Sequence, residues 1–245
     1  MVAATVAVNR ESNTIHLVSE VDVSEPRRLI RAHKERSGES LSFTAYVVTC
    51  LARAVAEQPG LDSMRKGRRL VHFDDVTVNT LFERQIDGEA VPEGYPIRTA
   101  QKKSFREIHN EIRAAQEHRS DRLGSLSGTP WIISILPEFL FRRFVRLASR
   151  SVRIAMHYGV VSVTSIGMFG SGAAWGVPLT AATVTATVGS IVTRPVLVDG
   201  KVQEREHLCI TVSFDHDIVD GAPAARFMKR LAEILSSGEA AREVS

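Results

Sequence analysis

Two cysteines in 245 residues are too few for a disulfide framework. Cys50 and Cys209 both sit in apolar runs and read as buried free thiols, as expected of a protein kept in a reducing cytoplasm. No stretch supplies the ~18 uninterrupted apolar residues that a membrane-crossing helix needs. The N-terminus has no basic region followed by an apolar run, so no secretory leader is expected. The charge excess is only +3, which gives no argument for a nucleic-acid partner. No internal repeat is visible, and no metal site is expected.

What the chain has is core-forming material. It is 44% hydrophobic and 24% charged, which excludes wholesale disorder. Residues 15–23 alternate as a strand. Ser24, Glu25 and Pro26 then read as a capping hydroxyl with acid and proline in the first helical turn. A second helix is expected through Val47, Val48, Leu51 and Val55, capped by Ser42 or Thr44 and stopped at Pro59-Gly60. Strands are expected over 70–73 and 76–82, a loop over 87–96, and a polar helix over 104–117. Residues 160–167 read as a strand entering a glycine-rich loop. Asp199-Gly200 signals a hairpin between two β-rich runs. Together these predict one α/β domain over 1–245 with a mixed sheet.

Residues 124–155 differ in character. An apolar stretch from Trp131 is followed by Arg142, Arg146, Arg150 and Arg153, which share one helix face. Two readings fit this inserted amphipathic segment. Its apolar side packs inside the fold or an oligomer, or residues 131–153 contact a membrane surface.

The segment that points to chemistry is Ser213-Phe214-Asp215-His216-Asp217-Ile218-Val219-Asp220-Gly221-Ala222. A strand delivers His216 into a polar turn, and a helical pattern follows over 224–235. Histidine has the side chain best suited to exchanging a proton near neutrality. Asp220 could orient His216 or merely hold the turn. Gly221 is expected to take a conformation closed to other residues.

Two segments together resemble a known family. Residues 213–222 are similar to the Ser-Phe-Asp-His-Arg-Val-Val-Asp-Gly-Ala motif of the catalytic domain of dihydrolipoamide acyltransferases, the core subunits of 2-oxo acid dehydrogenase complexes. Thr164-Ser165-Ile166-Gly167-Met168-Phe169-Gly170 resembles that family's Ser-Asn-Leu-Gly-Met-Phe-Gly. Arg194 to Gly200 matches its hairpin, and the order of elements upstream agrees more loosely.

The resemblance implies a chloramphenicol-acetyltransferase-like fold and an acyltransferase that moves acyl groups between thiols. CoA would be a substrate and no cofactor would be covalently bound. His216 would be the general base and Thr164 would stabilise the oxyanion. Ser165, Gly167 and Ser213 would lie along the substrate. The two catalytic groups, 52 positions apart, would meet across a subunit boundary, which implies a trimer or a multiple of trimers. A lipoyl group would have to come from another chain, since no lipoyl domain is expected here. Lipoyl-carrier or decarboxylase subunits would be the partners. Asp217 stands where the motif has arginine, and a carboxylate beside a histidine tends to raise its pKa. The altered position leaves an alternative: a weakly active or inactive scaffold subunit of such a complex.

Overall fold

The computed structural model describes residues 13–86, 89–117, 151–166 and 172–244, with side chains left out over 83–92. Most of the 124–155 segment, and Gly167 with the glycine-rich loop, therefore lie outside the described residues.

Six strands form one mixed sheet. In chain order they are β1 (Thr14–Asp22), β4 (Val78–Ile86), β5 (Glu89–Ile97), β6 (Val161–Ser165), β7 (Val184–Val198) and β8 (Lys201–Asp215). Their spatial order is β1-β8-β7-β6-β4-β5. The β4-β6 and β6-β7 pairs are parallel and the rest are antiparallel. A separate hairpin joins β2 (Ser63–Lys66) to β3 (Arg69–His72). The helices are α1 (Ser24–Ser37), α2 (Phe43–Ala56), α3 (Phe105–Glu117), α4 (Val152–Tyr158), α5 (Gly221–Ser237) and α6 (Glu239–Arg242). No described helix is long and apolar enough to cross a membrane.

The two faces of the sheet divide the labour. Val161, Val163, Val184, Ala186, Val212 and Phe214 point one way and are fully buried. Against them pack α2, where ten of fourteen residues are buried, and α5, through Phe227 and Leu231. Tyr46 Oη donates to Leu235 O at 2.7 Å, so the phenol carried into this core is satisfied and ties α2 to α5. The opposite face is polar. His16, Ser213, Thr185, Ser162 and Asn79 line up across β1, β8, β7, β6 and β4. Hydrogen bonds run along this row from His16 Nδ1 to Ser213 Oγ (2.8 Å), and from Ser162 Oγ through Thr185 Oγ1 to Thr180 Oγ1 (2.7 and 2.6 Å).

The hairpin expected at Asp199-Gly200 forms, with φ of 50° and 75° at the two turn residues, the left-handed pair that a tight two-residue turn needs. Two expectations fail. Residues 89–97 are strand β5 rather than loop. This strand is the sheet edge, where proline's missing N–H costs no interior ladder bond. Ser24 is not a helix cap either. It is the first residue of α1, and its hydroxyl donates to Asp22 Oδ1 (2.6 Å) and accepts from Glu206 N (2.8 Å). Ser42, by contrast, does cap α2, accepting from Ala45 N.

Candidate active site

β8 ends at Asp215 and α5 begins at Gly221, so His216 rides on a five-residue turn. The turn is built from its own backbone. Ile218 N and Val219 N both donate to Asp215 O (3.0 and 2.9 Å), and Asp217 N donates to Asp215 Oδ1 (3.0 Å). His216 N donates to Asn13 O at 2.6 Å, extending the β1-β8 ladder by one residue. Burial pushes the Asp215 carboxyl above its ordinary range, and the neighbouring Asp217 charge adds to this.

The imidazole has a fixed orientation. His216 Nδ1 lies 2.9 Å from Val219 O. A carbonyl oxygen only accepts, so Nδ1 carries the proton and, in the neutral ring, Nε2 holds the free lone pair. The ring is thereby presented as a base through Nε2. Its side chain is 41% exposed, so a substrate can reach it.

Asp220 lies 3.8 Å from His216 Nδ1, farther than the Val219 carbonyl. Its closest bond is the helix cap, with Gly221 N donating to Oδ1 at 3.2 Å. It therefore holds the turn's exit into α5 and adds negative charge at that helix's N-terminus. Gly221 needs correction. It is the first residue of α5, it is absent from the positive-φ positions, and a Cβ there would meet nothing within 4 Å. Its conformational freedom is not used.

Asp217 does not face His216. Its Oδ1 accepts from Asn13 Nδ2 (3.0 Å) and its Oδ2 from Arg65 Nη1 (2.8 Å). Both oxygens of the reversed charge are thus engaged elsewhere. Arg65 and Asn13 have no signal in the local sequence, being 152 and 204 positions from Asp217.

Thr164 lies on β6, on the polar face of the sheet, partly buried. Its hydroxyl makes no hydrogen bond to another described residue and is free to donate. Thr164 registers with Thr187, and Thr187 with Thr211 on β8. His216 is five residues beyond Thr211. At strand spacings this is roughly 17 Å along the sheet and about 10 Å across it. One chain therefore keeps the two groups far apart. Ser165 ends β6 on the opposite face, registered with Val188. Ser213 is fully buried and bonded to His16, so it serves the sheet rather than an open surface.

A cleft of about 790 Å³ borders the turn. Arg65 and Lys66 form one rim, Asp215, Asp217 and Ile218 another, and Asn79, Ser162 and Thr180 part of the polar floor. Neither His216 nor Thr164 lines it.

Residues 149–241 match the family described as 2-oxoacid dehydrogenases acyltransferase (catalytic domain). The chain is 27% identical, over 83% of its own length and 41% of the relative's, to the lipoamide acyltransferase component of the branched-chain alpha-keto acid dehydrogenase complex of Bacillus subtilis (strain 168). It spans about half the length of the curated relatives it matches. Among solved structures it is similar to the dihydrolipoamide acetyltransferase of Azotobacter vinelandii, with a TM-score of 0.73 and 21% identity over 98% of this chain and 88% of that one. Work on that enzyme addressed a serine, a histidine and an asparagine in its catalytic mechanism. The histidine lies 52 positions after the serine, and the asparagine four positions after the histidine. A chloramphenicol acetyltransferase also shares the fold, with a TM-score of 0.52 and 15% identity over 95% of this chain and 93% of that one.

Proposed function

We propose, on the premise that residues 149–241 belong to the acyltransferase catalytic domain of the 2-oxoacid dehydrogenases, that this protein transfers an acyl group between thiols, with CoA as one of them. The observation that carries the reading is the His216 Nδ1 to Val219 O hydrogen bond, which leaves Nε2 as the basic atom. Support comes from spacing. Thr164 precedes His216 by 52 positions and Asp220 follows it by four, as the serine and asparagine stand to the histidine in the Azotobacter vinelandii enzyme.

His216 Nε2 removes the proton from the acceptor thiol. A thiol with a pKa of about 8.5 is a poor nucleophile until ionised. The thiolate attacks the thioester carbonyl carbon, and the carbonyl oxygen becomes an oxyanion. The Thr164 hydroxyl donates a hydrogen bond to it. The intermediate collapses, the carbon–sulfur bond to the donor breaks, and the departing thiolate takes the proton back from Nε2. Because the register separates Thr164 from His216 within a chain, the Thr164 that serves each His216 belongs to a neighbouring copy. Any closed symmetric assembly supplies this at each of its interfaces, and a trimer is the one that the family resemblance implies. A dihydrolipoyl group offers the same thiol chemistry as an acceptor, and the surrounding subunits are those of a 2-oxoacid dehydrogenase complex.

The test follows thiol release from a panel of acyl-CoAs in the presence of a small dithiol. His216→Ala should lower the rate by roughly 10²–10⁴-fold. Equal rates for wild type and His216→Ala would leave the chain a scaffold and sink the enzymatic reading.

A further inference from the structure

One carboxylate holds the His216 turn from two directions. Asp217 Oδ1 is bound by Asn13 at the start of β1, and Oδ2 by Arg65 on β2. The guanidinium is itself anchored, since Arg65 Nε donates to Gly67 O in the β2-β3 turn at 3.1 Å. Asn13 also receives the His216 N–H through its carbonyl. The hydrogen bonds inside the turn, from residues 217, 218 and 219 back to Asp215, give it a shape but do not place it against the cleft wall. The bridge to β2 does place it. Its members are partly exposed, 51% for Arg65 and 35% for Asp217, so solvent screens the pair and it adds little to folding.

We propose that Asp217 is a positioning residue, which through Arg65 and Asn13 fixes where the His216 imidazole stands. This rests on the reading of His216 as the base. The position that carries arginine in the resembled motif carries an acid here because β2 supplies the cation. Either sign can pin the turn, provided the facing element carries its complement.

Three variants test this: Asp217→Asn, Asp217→Arg, and Asp217→Arg combined with Arg65→Asp. The Asn variant keeps the shape and removes the ion pair. The Arg variant installs the motif residue against Arg65, and the double variant restores opposite charges. Misplacement of the base should lower kcat by roughly tenfold in both single variants, with KM for acyl-CoA and the melting temperature little changed. The double variant should recover most of kcat.

Nitrogen-15 spectra of the His216 ring provide a readout that does not depend on turnover. Wild type should show the proton on Nδ1, and Asp217→Asn should show a mixture of tautomers. Singles as active as wild type, or a double no better than Asp217→Arg alone, would overturn the proposal. If His216→Ala turns over as fast as wild type, the enzymatic reading has failed, and the ring spectra alone decide. Spectra unchanged in Asp217→Asn then overturn the positioning role, and spectra that change uphold it.

Discussion

His216 takes its tautomer from a backbone carbonyl, while the acid four residues on caps a helix. The histidine itself was legible, because a strand pattern running into Asp, Asp and Gly marks a turn. Its hydrogen-bond partner was not, because a sequence does not show which way a carbonyl points. Asp62 was equally invisible. It is 3% exposed, its Oδ2 has no hydrogen-bond partner among the described residues, and burial with the nearby Asp75 charge pushes its carboxyl up to about 7. The unfolded chain ionises this group near 3.8 while the folded chain keeps the proton to about 7, so over that window the folded state binds more protons. Stability from this site therefore falls as pH rises from about 4 to about 7, and is flat above. Asp62→Asn should remove the decline and stabilise the protein at pH 8 by about 1–3 kcal/mol. Urea unfolding at pH 5 and pH 8 checks this, and parallel losses in wild type and variant would contradict it. Cys50, whose thiol burial pushes up to about 12, and the buried Cys209 should not react with a disulfide reagent in the native protein. Labelling before and after denaturation reads the difference.

At the scale of elements, α1, α2, α3, α5 and the long β7-β8 hairpin were readable from periodicity, capping residues and Asp199-Gly200, while α4 and α6 were not. β5 was not, since Pro92, Gly94 and Pro96 are loop signals unless the strand is known to be an edge. The segment after the glycine-rich loop also needed tertiary context. It lies on the polar face of the sheet, with Ala174 N donating to Ser190 Oγ (2.8 Å) and Trp175 Nε1 to Ser19 O (3.1 Å). Gly189, at the β7 irregularity, lets it approach. A Cβ there would stand 2.2 Å from Ala174 O and 2.6 Å from Cys209 O, both backbone atoms that cannot swing aside. Gly189→Ala should cost roughly 2–4 kcal/mol, by overpacking and loss of the Ala174 contact. A melting temperature within a degree of wild type would show that the segment simply lifts away.

At the scale of the whole molecule, the distance between Thr164 and His216 on one chain is the main fact. A shared site makes a specific demand. Thr164→Val and His216→Ala chains, each poorly active, should regain activity when unfolded and refolded together, because some interfaces then pair an intact Thr164 with an intact His216. For equal mixing in a closed ring, roughly a quarter of the sites are complete. Recovery near zero, or light scattering that reports a monomer at micromolar concentration, would place the two residues in separate roles.

The carbonyl of Val219 is a main-chain atom, and this bears on how such a site tolerates change. Mutation can replace the side chain at 220, and the one at 217 where a complementary charge still holds the turn, without losing the group that selects the imidazole's active nitrogen. The chemistry is inherited through the path of the chain rather than through a pair of side chains. A lineage can therefore rewrite the charges around its base, as the acid at 217 and the arginine at 65 do together here, while the proton-accepting atom stays the same.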